Sequence, residues 1–112
     1  MADLGASIVI AFLEAEMARG TDGAVFYDED AGSVEFRRLH QIDAELYEHI
    51  EDLLTDEPQH GIVVETCAGH SSVWLIPRRM LTTMVKTSAV LLNQTELPIW
   101  ATLRAAGRQT KH

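Results

Sequence analysis

Residues 61–77, GIVVETCAGHSSVWLIP, read as a tight β-hairpin, and that reading decides the fold class. Two β-rich runs, 62–67 and 72–76, flank Gly69 and His70. Glycine at the first loop position takes a positive φ without strain, which predicts a type II′ turn. The implied register sets Ala68 opposite Ser71, Thr66 opposite Val73 and Val64 opposite Leu75 on one face. Cys67–Ser72, Glu65–Trp74 and Val63–Ile76 then share the other face. Both faces are apolar near the open end, whereas a sheet with one wet face would alternate cleanly. A central sheet with helices on both faces is therefore expected. Pro77 has no amide to offer a ladder and should end the second strand.

Outward from the hairpin, the chain reads as one domain over residues 1–112, with 107–112 as a short basic tail. Hydrophobic residues make up 46% and charged residues 23%, a globular balance that argues against extended disorder. A single cysteine excludes an internal disulfide and suits a reducing compartment. The acidic start MADLG lacks the basic region of a secretory leader, and the apolar run 8–13 is far too short to span a bilayer. A cytoplasmic location without membrane insertion is the expectation.

The net charge of −8 conceals a split. Through Pro77 there are 3 Lys/Arg against 16 Asp/Glu, a balance of −13; from Arg78 onward 6 stand against 1, a balance of +5. Such an acidic sum opposes nucleic-acid binding, which needs a positive surface for phosphates. The split itself predicts either charge complementarity, within the domain or across a homodimer, or a basic tail that recognises an acidic partner.

Residues 4–19 read as a helix capped by Asp3 and closed by Gly20, with Leu4, Ile8, Phe12, Leu13 and Met17 as its buried stripe. Ile8-Val9-Ile10 widens that stripe, which implies deep packing or a subunit contact. Asp22-Gly23 leads into a short apolar strand, 24–28. DEDAG, 28–32, is a loop, and 33–39 is a second strand whose alternating Glu35 and Arg37 suit a sheet edge. DEDAG lacks the twelve-residue spacing and closing glutamate of a calcium-binding loop. A second helix, from Asp43 to about Thr55, buries Leu46, Ile50, Leu53 and Leu54 and turns Glu45, Glu48, Glu51 and Asp52 outward. After Pro77 the pattern fits either period: a strand over 79–86 followed by a helix from Ser88, or a helical stripe throughout. In both cases Pro98 should break the helix, which resumes through Trp100 and Leu103 to Gly107.

The order helix, two strands, helix, two or three strands and closing helix resembles the roadblock/dynein-light-chain family over residues 4–106. The local feature is GAVFYDEDAGSVEF, residues 23–36. The segment 78–86 is less apolar than that family's last strand, and Pro98 interrupts its closing helix. The resemblance implies an α+β fold of αββαβββα order, with a five-stranded antiparallel sheet, one helix on one face and two on the other. It also implies a homodimer joined at sheet edges that scaffolds or regulates small GTPases without catalysis. On this chain the strand 62–67 would meet its symmetry mate, flanked by 46–54, giving Ile62, Val64, Glu65, Cys67, Leu46, Ile50 and Trp74 as interface residues.

Cys67 and His70 form a C-x-x-H, the pairing a cysteine nucleophile requires, but no third orienting residue is visible. An exposed turn histidine beside a half-buried cysteine is the simpler reading. Glu45 and His49 lie on one helical face, with His40 and His60 nearby. Adjacent glutamates favour charged His49, and no closed ligand set exists, so neither metal nor cofactor is expected. The glycines of RGTDG precede a strand rather than a helix and cannot present amides to a phosphate. The expected function is a binding or regulatory module acting as a homodimer. The alternatives are a small enzyme or ligand-binding protein with a pocket near Cys67, His70 and Trp74, and an assembly subunit of a phage or multiprotein machine.

Overall fold

The structure is a computed structural model and describes residues 4–18, 22–80 and 99–110. Its elements are α1 (Leu4–Met17), β1 (Gly23–Asp28), β2 (Ser33–Arg38), a short 3-10 turn (Leu39–Gln41), α2 (Ala44–Asp56), β3 (His60–Cys67), β4 (His70–Pro77), α3 (Ile99–Ala106) and β5 (Arg108–Thr110). The fold is α+β, with a five-stranded sheet in the order β2-β1-β3-β4-β5.

Helices cover both faces, and the side-chain parity of the strands says why. Even-numbered residues of β3 and odd-numbered residues of β4 point to one face, where Ile62, Val64, Val73 and Leu75 bury against Ile42 and Ile50 of the α2 layer. Val63 and Ile76 point to the other, where they join Val25, Ile8, Val9, Phe12, Trp100 and Leu103 from β1, α1 and α3. Leu13 is half-buried at the side of that stripe. The expected caps Asp3 and Gly20 and the strand-or-helix question over 81–98 lie outside the described residues, but Arg79 and Met80 are helical rather than strand.

Four expectations are corrected. The hairpin turn sits one residue earlier than predicted, at Ala68 and Gly69, and Cys67 pairs with His70. Both loop residues have positive φ, 52° and 79°, as a type I′ turn requires. Asp30 Oδ1 accepts a bond from the Ala68 amide at 3.1 Å and so holds the non-glycine residue in that conformation. The pairs become Glu65–Ser72, Val64–Val73, Val63–Trp74 and Ile62–Leu75, and the ladder runs unbroken to His60–Pro77. Moving the loop by one residue shifts each pairing by two, so no side chain changes face.

The sheet is mixed, not wholly antiparallel. β3 runs parallel to β1, with Val25 opposite Val63 and Phe26 opposite Val64. A parallel neighbour needs a crossover, which β2 and α2 supply together. Consequently β3 is not an outer strand. β1 occupies one of its sides and β4 the other, which closes the edge at which 62–67 was to meet a symmetry mate. Its unbroken Ile62-Val63-Val64 run fits a strand buried on both faces.

The basic tail carries a further strand: residues 108–110 form β5, with Arg108 opposite Leu75 and Thr110 opposite Val73. Gly107 permits this tight return. A Cβ there would stand 2.6 Å from the Leu75 carbonyl oxygen, and the Gly107 amide still closes α3 by donating to Leu103 O at 2.9 Å. Finally, Asp43 occupies the N-cap of α2, but its carboxylate makes no cap bond. Its main-chain oxygen accepts from the amides of Leu46 and Tyr47, each at 3.0 Å.

Candidate functional site

The residues picked out by sequence do not converge. Ile62, Val64 and Ile50 are buried in the α2 layer, with Leu46 half-buried beside them. Glu65 and Trp74 belong to the opposite face, and Cys67 lies exposed at the hairpin end. One continuous surface cannot hold all seven.

Two turns meet around Cys67. Besides the Asp30–Ala68 bond, the Glu29 amide donates to Thr66 O at 2.9 Å, which ties the β1–β2 turn to the end of β3. The Asp28 carboxylate braces that turn by accepting from the Ala31 amide at 3.0 Å. Cys67 and His70 are direct cross-strand neighbours, closer in register than the predicted turn implied. The surrounding charge works against a nucleophile. A hydrogen bond to Glu29 and the charges of Glu29, Asp30 and Glu65 all favour the protonated thiol and raise its pKa. Cavities among the described residues lie elsewhere: about 200 Å3 among Phe12, Glu16, Leu54, His60 and Arg78, about 180 Å3 among Phe26, Glu35, Arg37, Leu46 and Val64, about 570 Å3 among Pro58, His60 and Arg78, and about 330 Å3 among Pro77, Arg79, Met80 and Ala106. None of these includes Cys67, His70 or Trp74.

On the α1–α3 face, Glu65 is 8% exposed and accepts a 2.7 Å hydrogen bond from Trp100 Nε1, with Arg104 3.7 Å away. Trp100 stacks on Tyr27 and meets Trp74 edge to face, and Arg104 lies over the Trp74 ring. Both partners of this carboxylate among the described residues, Trp100 and Arg104, come from α3, so the cluster fastens that helix to β3. The Trp–Glu pairing escaped sequence reading because 35 residues separate the two in the chain.

His49 Nε2 lies 2.9 Å from Thr110 Oγ1, which joins α2 to β5. Among the described residues no three His, Cys, Asp or Glu side chains converge as a metal site would need. Among them, too, no helix is long and apolar enough to cross a membrane.

The charge split is resolved in part within the chain. Arg78 pairs with Glu16 at 3.0 Å, Arg104 approaches Glu65, and Arg108 pairs with Glu57. Each joins the basic C-terminal part to the acidic part before it. Glu45, Glu48, Glu51 and Asp52 take no part in the ion pairs among the described residues and stand exposed on the outer face of α2. Comparison with protein-family models, curated proteins and solved structures found no match to this chain.

Proposed function

We propose that this chain is a non-catalytic protein-interaction module, a homodimer whose outer α2 face docks a partner with a basic surface. One observation carries the reading: after internal pairing has used Arg78, Arg104 and Arg108, four carboxylates on one exposed helix face remain without an ion pair among the described residues. Like charges at helical i,i+3 and i,i+4 spacing disfavour the helix slightly, and a basic partner would relieve that repulsion. The roadblock resemblance extends the proposal to a regulatory scaffold with a small GTPase among its partners.

The test compares the wild-type chain, immobilised, with a variant carrying Glu45→Lys, Glu48→Lys and Glu51→Lys. A defined protein held by the wild type, released by rising salt and not held by the variant supports the reading. Equal retention by both, or retention of nothing, refutes it.

A further inference from the structure

The edge strand β2 has a free side whose chemistry is self-complementary. The Leu39 amide donates to Asp22 O at 2.9 Å, which marks Gly23–Arg38 as a pair without mutual hydrogen bonds. Alternation along the ladder then turns the backbone groups of Ser33, Glu35 and Arg37 toward β1, and those of Val34, Phe36 and Arg38 outward. No strand covers that side among the described residues. The Arg38 amide is occupied by Gln41 Oε1 at 2.9 Å, as its outward direction allows. The outward groups of Val34 and Phe36 have no ladder partner.

We propose that β2 pairs antiparallel with β2 of a second copy about a two-fold axis at Phe36, forming one continuous sheet through the dimer. This names the interface of the homodimer put forward above and rests on that reading. The register follows from charge. Centring the axis on Phe36 puts Glu35 opposite the mate's Arg37 and Arg37 opposite the mate's Glu35. These are pairs without mutual hydrogen bonds, the kind that brings side chains closest. Centring it on Glu35 or on Arg37 would oppose two like charges instead. Within one chain Arg37 Nε already donates to Glu35 Oε1 at 2.7 Å, so the dimer closes a ring of four alternating charges.

The backbone agrees with this register. Each Phe36 amide reaches the other's carbonyl, each Val34 amide reaches the mate's Arg38 carbonyl, and both Arg38 amides stay with Gln41. Symmetry also sets the two α1 helices on the same face of the joined sheet, because α1 lies over β2. Ile10 of α1, 54% exposed, is the large apolar side chain left uncovered among the described residues. Charged edge strands ordinarily repel stray pairing. Here the order Glu-Phe-Arg makes the antiparallel self-pairing the attractive arrangement.

The test is the oligomeric state of the full chain by sedimentation across a concentration series up to millimolar, with far-UV circular dichroism to verify folding. The wild type should be a dimer whose Val34 and Phe36 amides gain hydrogen-exchange protection as concentration rises. Glu35→Arg and Arg37→Glu should each raise the dissociation constant by roughly tenfold or more, because each makes both symmetric pairs repulsive. The double exchange Glu35→Arg with Arg37→Glu should restore the dimer. A wild-type monomer throughout, including one whose edge captures a different protein, overturns the homodimer itself. A wild-type dimer indifferent to the single reversals, or not restored by the double exchange, overturns this edge alone.

Discussion

Cys67 shows how neighbours decide the role of a reactive side chain. The thiol is exposed, but the hydrogen bond to Glu29, followed by the charges of Glu29, Asp30 and Glu65, holds its pKa above the usual value. An acid with a raised pKa carries less thiolate at neutral pH. Iodoacetamide should therefore label Cys67 more slowly than free cysteine, with the rate rising at higher pH than for an unperturbed thiol. Glu29→Gln should speed labelling and move that rise downward; an unchanged rate would show that Glu29 does not hold the proton. The two tryptophans make a second contrast. Trp100 Nε1 serves a buried carboxylate, whereas Trp74 Nε1 is buried with no hydrogen-bond partner among the described residues. Trp100→Phe should cost about 2–3 kcal/mol in urea unfolding, since bonds to charged groups contribute most and their loss strands the acceptor. Trp74→Phe, which strands nothing, should cost no more than about 1 kcal/mol. Equal losses would contradict the assignment.

The hairpin teaches the lesson for elements. Its strands and faces were legible because side-chain alternation depends only on parity, and residues 62–67 and 72–76 are strongly patterned. Its register was not, because Ala68-Gly69 and Gly69-His70 are both plausible loops by composition. The contact that chooses between them, Asp30 to the Ala68 amide, comes from a turn 38 residues away. Ala68 at φ 52° adopts a conformation that L-residues other than Asn and Asp seldom take. Ala68→Asn should accordingly stabilise the protein by about 0.5–1 kcal/mol in chemical unfolding, with the native fold unchanged. A destabilised variant would place the turn elsewhere. β2 was recognisable as an edge from Glu35 and Arg37. β5 was not recognisable, for Arg-Gln-Thr has no apolar alternation. Its only sequence signal is Gly107 directly after the closing helix.

At the scale of the molecule, charge and topology act together. The acidic first part and basic last part fold back on one another through Arg78–Glu16, Arg104–Glu65 and Arg108–Glu57. The more exposed pairs, Arg78–Glu16 and Arg108–Glu57, contribute at most about 1 kcal/mol each, so they orient the C-terminal elements more than they stabilise the fold. Apolar layering on both sheet faces supplies the stability, as the fully buried Ile8, Ile50, Ile62, Leu75 and Leu103 show. The pairs leave the outer acids of α2 and the charged edge of β2 outside this internal pairing between the two halves of the chain.

Residue types and their spacing were enough for the α+β class, the two-sided burial of the central strands, the acidic face of α2 and the charge asymmetry along the chain. All of these depend on residue type and local period. The placement of β3 inside the sheet parallel to β1, the fifth strand in the tail and the meeting of Glu65 with Trp100 emerge from the folded chain. The reason is physical. Main-chain donors and acceptors are the same in every residue but proline, so strand order depends on which edges remain open once helices have covered the faces. That outcome belongs to the whole chain and to no single stretch of it.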